Sequence, residues 1–211
     1  MKISVTLLHF SYIFQAITWA ILTIKVLSTY KRNKNFVSIL IGIAFIAGIV
    51  LSIFSPLHRE HPEIYGIYFE GALTFYIAGL ATIVFYILDW QYVVLAPFTI
   101  AAIASLQYFI SPVAYDINTS AINYTMGFLP IFGFLYLASK KKDAKSFSMG
   151  IQIIFIVIGN ISADYSALIA AIMTFASSGI LLIGFFGGFD RFFRQKAEIE
   201  GEILESEITT G

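Results

Sequence analysis

The chain alternates between long apolar runs and short polar breaks. A helix crossing the ~30 Å hydrocarbon core of a bilayer needs ~20 mostly apolar residues. Seven runs approach or meet that length: 5–29, 36–55, 64–88, 91–111, 121–139, 146–162 and 164–188. Two boundaries are narrow. Asp89-Trp90-Gln91 divides the run from Ile64 to Ser111, and Asn160-Ile161-Ser162-Ala163-Asp164 divides the run from Ser146 to Phe189. The run at 146–162 is the shortest; without it the count falls to six, and seven is the better reading. The pattern predicts an all-α integral membrane protein, a seven-transmembrane-helix bundle over residues 1–189. Residues 190–211 read as a cytoplasmic juxtamembrane segment and an acidic tail.

Local signals refine this picture. Pro97 and Pro130 predict kinks in the fourth and fifth helices. In the seventh, Ala163, Ser166, Ala167, Ala170, Ala171, Thr174, Ser177, Ser178 and Gly179 recur on one broad face. Small residues let membrane helices approach closely, within one bundle or, as the weaker reading, in a homo-oligomer. The first run, Ile3 to Leu27, is longer than a signal-peptide core and has no small-residue cleavage site before its basic flank, so it reads as a retained helix.

Composition agrees: 58% of residues are hydrophobic, 12% are charged, and the mean hydropathy is +0.83. Soluble domains carry about 25% charged residues. Net charge is zero, and no base lies between Arg59 and Lys140, which excludes a basic nucleic-acid groove. With no cysteine, the sequence excludes disulfides, thiolate zinc sites and iron–sulfur clusters. No cofactor is implied.

The bases are grouped, and cytoplasmic loops of membrane proteins are enriched in Lys and Arg. Lys25, Lys31, Arg32 and Lys34, then Lys140, Lys141, Lys142 and Lys145, then Arg191, Arg194 and Lys196 fall on one face; the other receives Lys2 and Arg59. Seven spans therefore place the N-terminus outside and the C-terminus in the cytoplasm of a multi-pass protein, expected in the cell membrane. Three sequons, at Asn118, Asn123 and Asn160, fall in loops assigned to the outside, with Asn118 the glycosylation candidate. The segment 195–211 reads as a solvated tail or as a docking segment for a cytoplasmic partner.

Glu70 is the one acid set well inside an apolar run. A carboxylate at membrane depth costs several kcal/mol unless it is paired or hydrated, so it marks a candidate functional site. Thr74 is one turn on, and Tyr68 lies at similar depth. The bland reading is that Glu70 and Asp89, ~28 Å apart along a helix, mark the two interfaces. Gln15, Gln107 and Gln152 are intramembrane amides, suited to interhelical hydrogen bonds, and Lys25 suits snorkelling to the cytoplasmic headgroups. His58, His61, Glu60 and Glu63 could ligate a metal, but Pro62 and the irregular spacing argue against it. No nucleophile–base pair or phosphate loop is present, so no enzyme is expected.

The plan resembles that of microbial rhodopsins in topology. The resemblance would give Glu70 the place of a counterion on the third helix. Ala176-Ser177-Ser178-Gly179 stands where a retinal-bearing lysine is needed, and no Lys or Arg occurs between Lys145 and Arg191. Covalent retinal at that helix is therefore excluded. The third helix also lacks an arginine near its acid and the expected proline.

Three functions fit. The first is passage of an ion or small molecule, with Glu70 as a protonatable or binding group. The second, nearly equal, is a non-catalytic subunit of a larger membrane complex. The third is an opsin-like sensor without retinal.

Overall fold

In the computed structural model, residues 2–33, 36–90 and 92–190 are described. The tail at 191–211, with the partner-docking segment expected there, lies outside them. The described residues form eight α-helices and no strand: α1 (Lys2–Asn33), α2 (Phe36–Glu60), α3 (Pro62–Ile87), α4 (Ala96–Leu106), α5 (Pro112–Met126), α6 (Phe128–Lys141), α7 (Ala144–Ala163) and α8 (Ala167–Phe185). Without water, an apolar chain must satisfy its backbone within the segment, and the helix does so.

Helix starts are set by proline and by short polar caps. Pro62, Pro97 and Pro112 each stand in a first turn, where their missing N–H costs nothing. The Ser111 hydroxyl caps α5 by accepting from the Ala114 amide at 3.3 Å, and Asp143 caps α7 by accepting from Lys145 and Ser146. Asp89 and Lys142 adopt left-handed conformations, φ 60° and 52°, just after α3 and α6. Such residues end helices sharply.

Six segments are long and apolar enough to span a membrane: Val5–Ser28, Ile39–Glu60, Pro62–Ile87, Pro112–Lys141, Ala144–Ala163 and Ala167–Phe185. The fourth and fifth predicted helices are redrawn. The fourth is short, with Ala96–Phe109 helical only when a closing 3₁₀ turn is included. Pro97 initiates it instead of kinking it. The fifth begins at Pro112, so the predicted loop before it is helical. It is broken at Gly127, where Pro130 cannot donate to the Met126 carbonyl one turn back.

The helices close a ring in the order α1, α2, α3, α5–α6, α7, α8 and back to α1, while α4 packs outside against α3 and α5. Register follows from named contacts. α1 and α8 run parallel: Leu8 and Tyr12 cluster with Ala170 and Ala171, Phe14 meets Phe175 at 5.5 Å, and Lys25 Nζ donates to the Phe185 carbonyl at 2.6 Å. α3 and α5–α6 also run parallel, from Tyr115 at Ile67 to Lys141 at Ile87. The small-residue stripe of α8 turns inward: Ala170, Ala171, Thr174, Ser177 and Ser178 are buried, and α8 packs on α7 and α1.

The two ends differ in charge. Lys25, Lys141 and Lys145 lie at the end where α3 and α8 finish. At the other end, His9 pairs with Glu60 at 3.7 Å, Arg59 with Asp164 at 3.5 Å, and His61 with Glu63 at 3.5 Å.

Glycine fixes the α3–α6 approach, since a Cβ at Gly133 would fall 2.5 Å from Val84 Cγ1, whereas one at Gly179 meets nothing within 4 Å. Gly133→Ala is therefore expected to destabilise the protein by about 1–3 kcal/mol. Gly179→Ala should be neutral or stabilising. Thermal unfolding of both variants in detergent checks the pair.

Candidate functional site

Glu70 projects from α3 toward α5. Its Oε2 accepts from Asn123 Nδ2 at 2.8 Å. Thr74 Oγ1 lies 2.8 Å from the Glu70 carbonyl and 3.1 Å from Asn123 Oδ1, and donates to one or the other. One turn nearer the start of α3, Tyr115 OH donates to the Ile67 carbonyl at 3.1 Å, over Gly71, where a Cβ would sit 2.9 Å from that hydroxyl. The carboxylate is half-buried, with no salt bridge to Lys or Arg among the described residues. His58 and Asp116 are the other ionisable side chains within its field besides Tyr115.

Of the residues singled out from the sequence, Thr74 joins this cluster. Tyr68 does not: it is exposed and stacks on Phe54 at 5.6 Å, facing away. Asn118 and Asn123 lie within α5 and Asn160 within α7, not in loops. Asn118 donates its amide to Gln107. Asn123 was hidden by the late predicted start of its helix. The signal that could have found it is Ser111-Pro112, a capped proline start that carries α5 past Asn123 and brings its amide opposite Glu70.

A second feature lies on the axis of the ring. From the acidic end, a cavity of about 420 Å³ opens among Ser55, His58, Arg59, Phe69, Asn160 and Asp164. It shares Ser55, Phe69, Leu73 and Asn160 with a narrower cleft of about 40 Å³, which reaches Gln15, Trp19, Tyr76 and Thr174. His58 stacks on Phe69 at 4.7 Å, and its Nδ1 is buried without a hydrogen-bond partner. From the basic end, a cavity of about 260 Å³ enters among Lys25, Ile83, Asp143, Lys145, Met149 and Phe185.

Between them stands a closed septum. Trp19 and Val26, Tyr76 and Ile83, and Ile156 and Met149 bracket it on three helices, in each case seven residues apart or ~10 Å. Trp19 is its centre: the indole meets Phe45 at 5.0 Å and Tyr76 edge-on at 5.6 Å. A Cβ at Gly48 would fall 2.9 Å from the indole, so only glycine leaves room for it. Tyr76 OH donates to Gln152 Oε1 at 3.3 Å, while Gln152 Nε2 is buried with no partner. Leu22, Phe45, Leu80 and Leu181 fill the remainder. Glu70 does not line these cavities; Phe69, next to it in sequence, and Leu73, about one turn before Tyr76, do.

No protein-family model, no curated protein and no solved structure matches this chain.

Asn123→Ala removes the one side-chain donor to the Glu70 carboxylate shown by the structure. It should destabilise the protein by about 1–3 kcal/mol. The same substitution in a Glu70→Gln background should cost less, because no carboxylate is then stranded. Reversible unfolding of the four proteins of this cycle measures the difference.

Proposed function

We propose that the chain is a seven-crossing membrane protein, N-terminus outside, that passes a small molecule along the axis of its helix ring. The observation that carries this reading is the pair of cavities entering from opposite ends and kept apart by a ~10 Å septum. A bundle that served only as a membrane anchor or as packing for a neighbour gains nothing from open polar space on its axis.

Seven crossings are supported by the parallel run of α1 and α8, because first and last spans are parallel only when the number of crossings is odd. The segment 88–111 supplies the short crossing. It leads from the Ile87 end, where Lys141 docks, back to the Ser111–Tyr115 end, which docks on Ile67. Orientation follows from the lysines gathered at the α3 and α8 termini, which suit the cytoplasmic face.

Glu70 acts beside the pathway rather than in it. Through Asn123 it ties α3 to α5, and the neighbouring face of α3, ~60–120° around the helix, carries Leu73 and Tyr76 to the axis. A change in the protonation of Glu70 alters that tie and so biases the position of Tyr76 in the septum.

The test is flux through proteoliposomes made with Trp19→Ala, which removes the largest side chain of the septum. Uptake of at least one of glycerol, D-glucose, alanine and potassium should rise several-fold over protein-free vesicles, and Glu70→Gln should flatten its pH dependence. Permeability equal to protein-free vesicles for all four solutes contradicts passage.

A further inference from the structure

The chemistry of the outer cavity narrows the class of molecule it accepts. Inside the mouth, its polar lining is neutral. Gln15, Ser55 and Asn160 come from α1, α2 and α7, and none makes a side-chain hydrogen bond among the described residues. Each carries both donor and acceptor capacity. Gln15 is 7% exposed and Ser55 9%, so what accessibility they retain is directed into the cleft. Ionisable side chains are confined to the rim: His58, and Arg59 and Asp164, paired at 3.5 Å. An ion entering the cleft would shed its hydration and meet no opposite charge, a cost of several kcal/mol. Neutral groups that donate and accept at once lose nothing comparable there.

Shape adds a second restriction. The deep cleft of about 40 Å³ has room for roughly three water-sized groups. Its walls include the aromatic residues Tyr12, Trp19, Phe69 and Tyr76, which suit the C–H surface of a compact solute. Carbon with a hydroxyl on each position satisfies both demands.

Resting on the passage reading above, we infer that the outer cavity is a binding site for a small neutral polyhydroxylated solute. Gln15, Ser55 and Asn160 supply the hydrogen bonds, and Trp19 supplies the apolar floor.

The chain offers its own reporter, because it has two tryptophans and the second, Trp90, is exposed beyond the end of α3, against Phe85. In a Trp90→Phe variant purified in detergent, Trp19 emission is titrated with erythritol and D-glucose, and with glycine and glycerol 3-phosphate as charged probes. The polyols should give a saturable change and the charged probes none, and Gln15→Leu or Asn160→Leu should weaken polyol binding at least tenfold at unchanged thermal stability. No saturable response to either polyol, an equal response to the charged probes, or full affinity in both leucine variants overturns the assignment. Binding without flux would refute passage alone, and flux without polyol binding would refute this assignment alone.

Discussion

The indole of Trp19 sits in the space that Gly48 leaves on α2, with its ring against Phe45 and Tyr76. Helices in lipid have no hydrophobic drive toward one another, since lipid tails are as apolar as leucine, so close packing and interhelical hydrogen bonds must hold them. This contact joins α1, α2 and α3 at mid-bundle, and Tyr76 extends it to α7 through Gln152. The same contact closes the axis. Packing that holds the ring together and the barrier that separates its two cavities share this set of atoms, so a substitution at Trp19 is felt by both.

Glycine performs the matching task elsewhere in the ring. Gly133 admits Val84, Gly150 admits Leu135, and Gly184 lies against Ser148. In each pair a Cβ at the glycine would force the neighbouring side chain to shift. With α8's buried small-residue face they explain how a ring of long helices encloses only narrow spaces. Where packing loosens, at the two mouths, the charged residues appear: His58, Arg59 and Asp164 at one, Lys25, Asp143 and Lys145 at the other.

Membrane class and long apolar helices were legible from run length and charge depletion, because lipid imposes those on sequence directly. Helix edges were less so. Apolar run length places a helix where it is greasy, but Ser111-Pro112 starts α5 in a polar stretch, and Pro97 starts α4 where apolar residues were already running. Glu70 stood out because a carboxylate in an apolar run is rare. Asn123 did not, since an Asn followed two residues later by Thr reads equally as a sequon, and only its register against α3 shows its partner. The axial cavity left almost no linear trace. Gln15, Trp19, Tyr76, Gln152 and Asn160 come from three helices far apart in the chain, and nothing in the sequence draws those helices together. Gly48, the residue that seats Trp19, is one glycine among 15.

The central claim is that the axis opens to opposite membrane faces on either side of the Trp19 septum. Because the chain has no cysteine, single cysteines can be placed without background and tested with a membrane-impermeant thiol reagent applied to one side of the membrane at a time. Asn160→Cys, in the outer cavity, should label only from the outside, and Met149→Cys, in the inner cavity, only from the cytoplasmic side. Labelling of both from the same side would contradict the account.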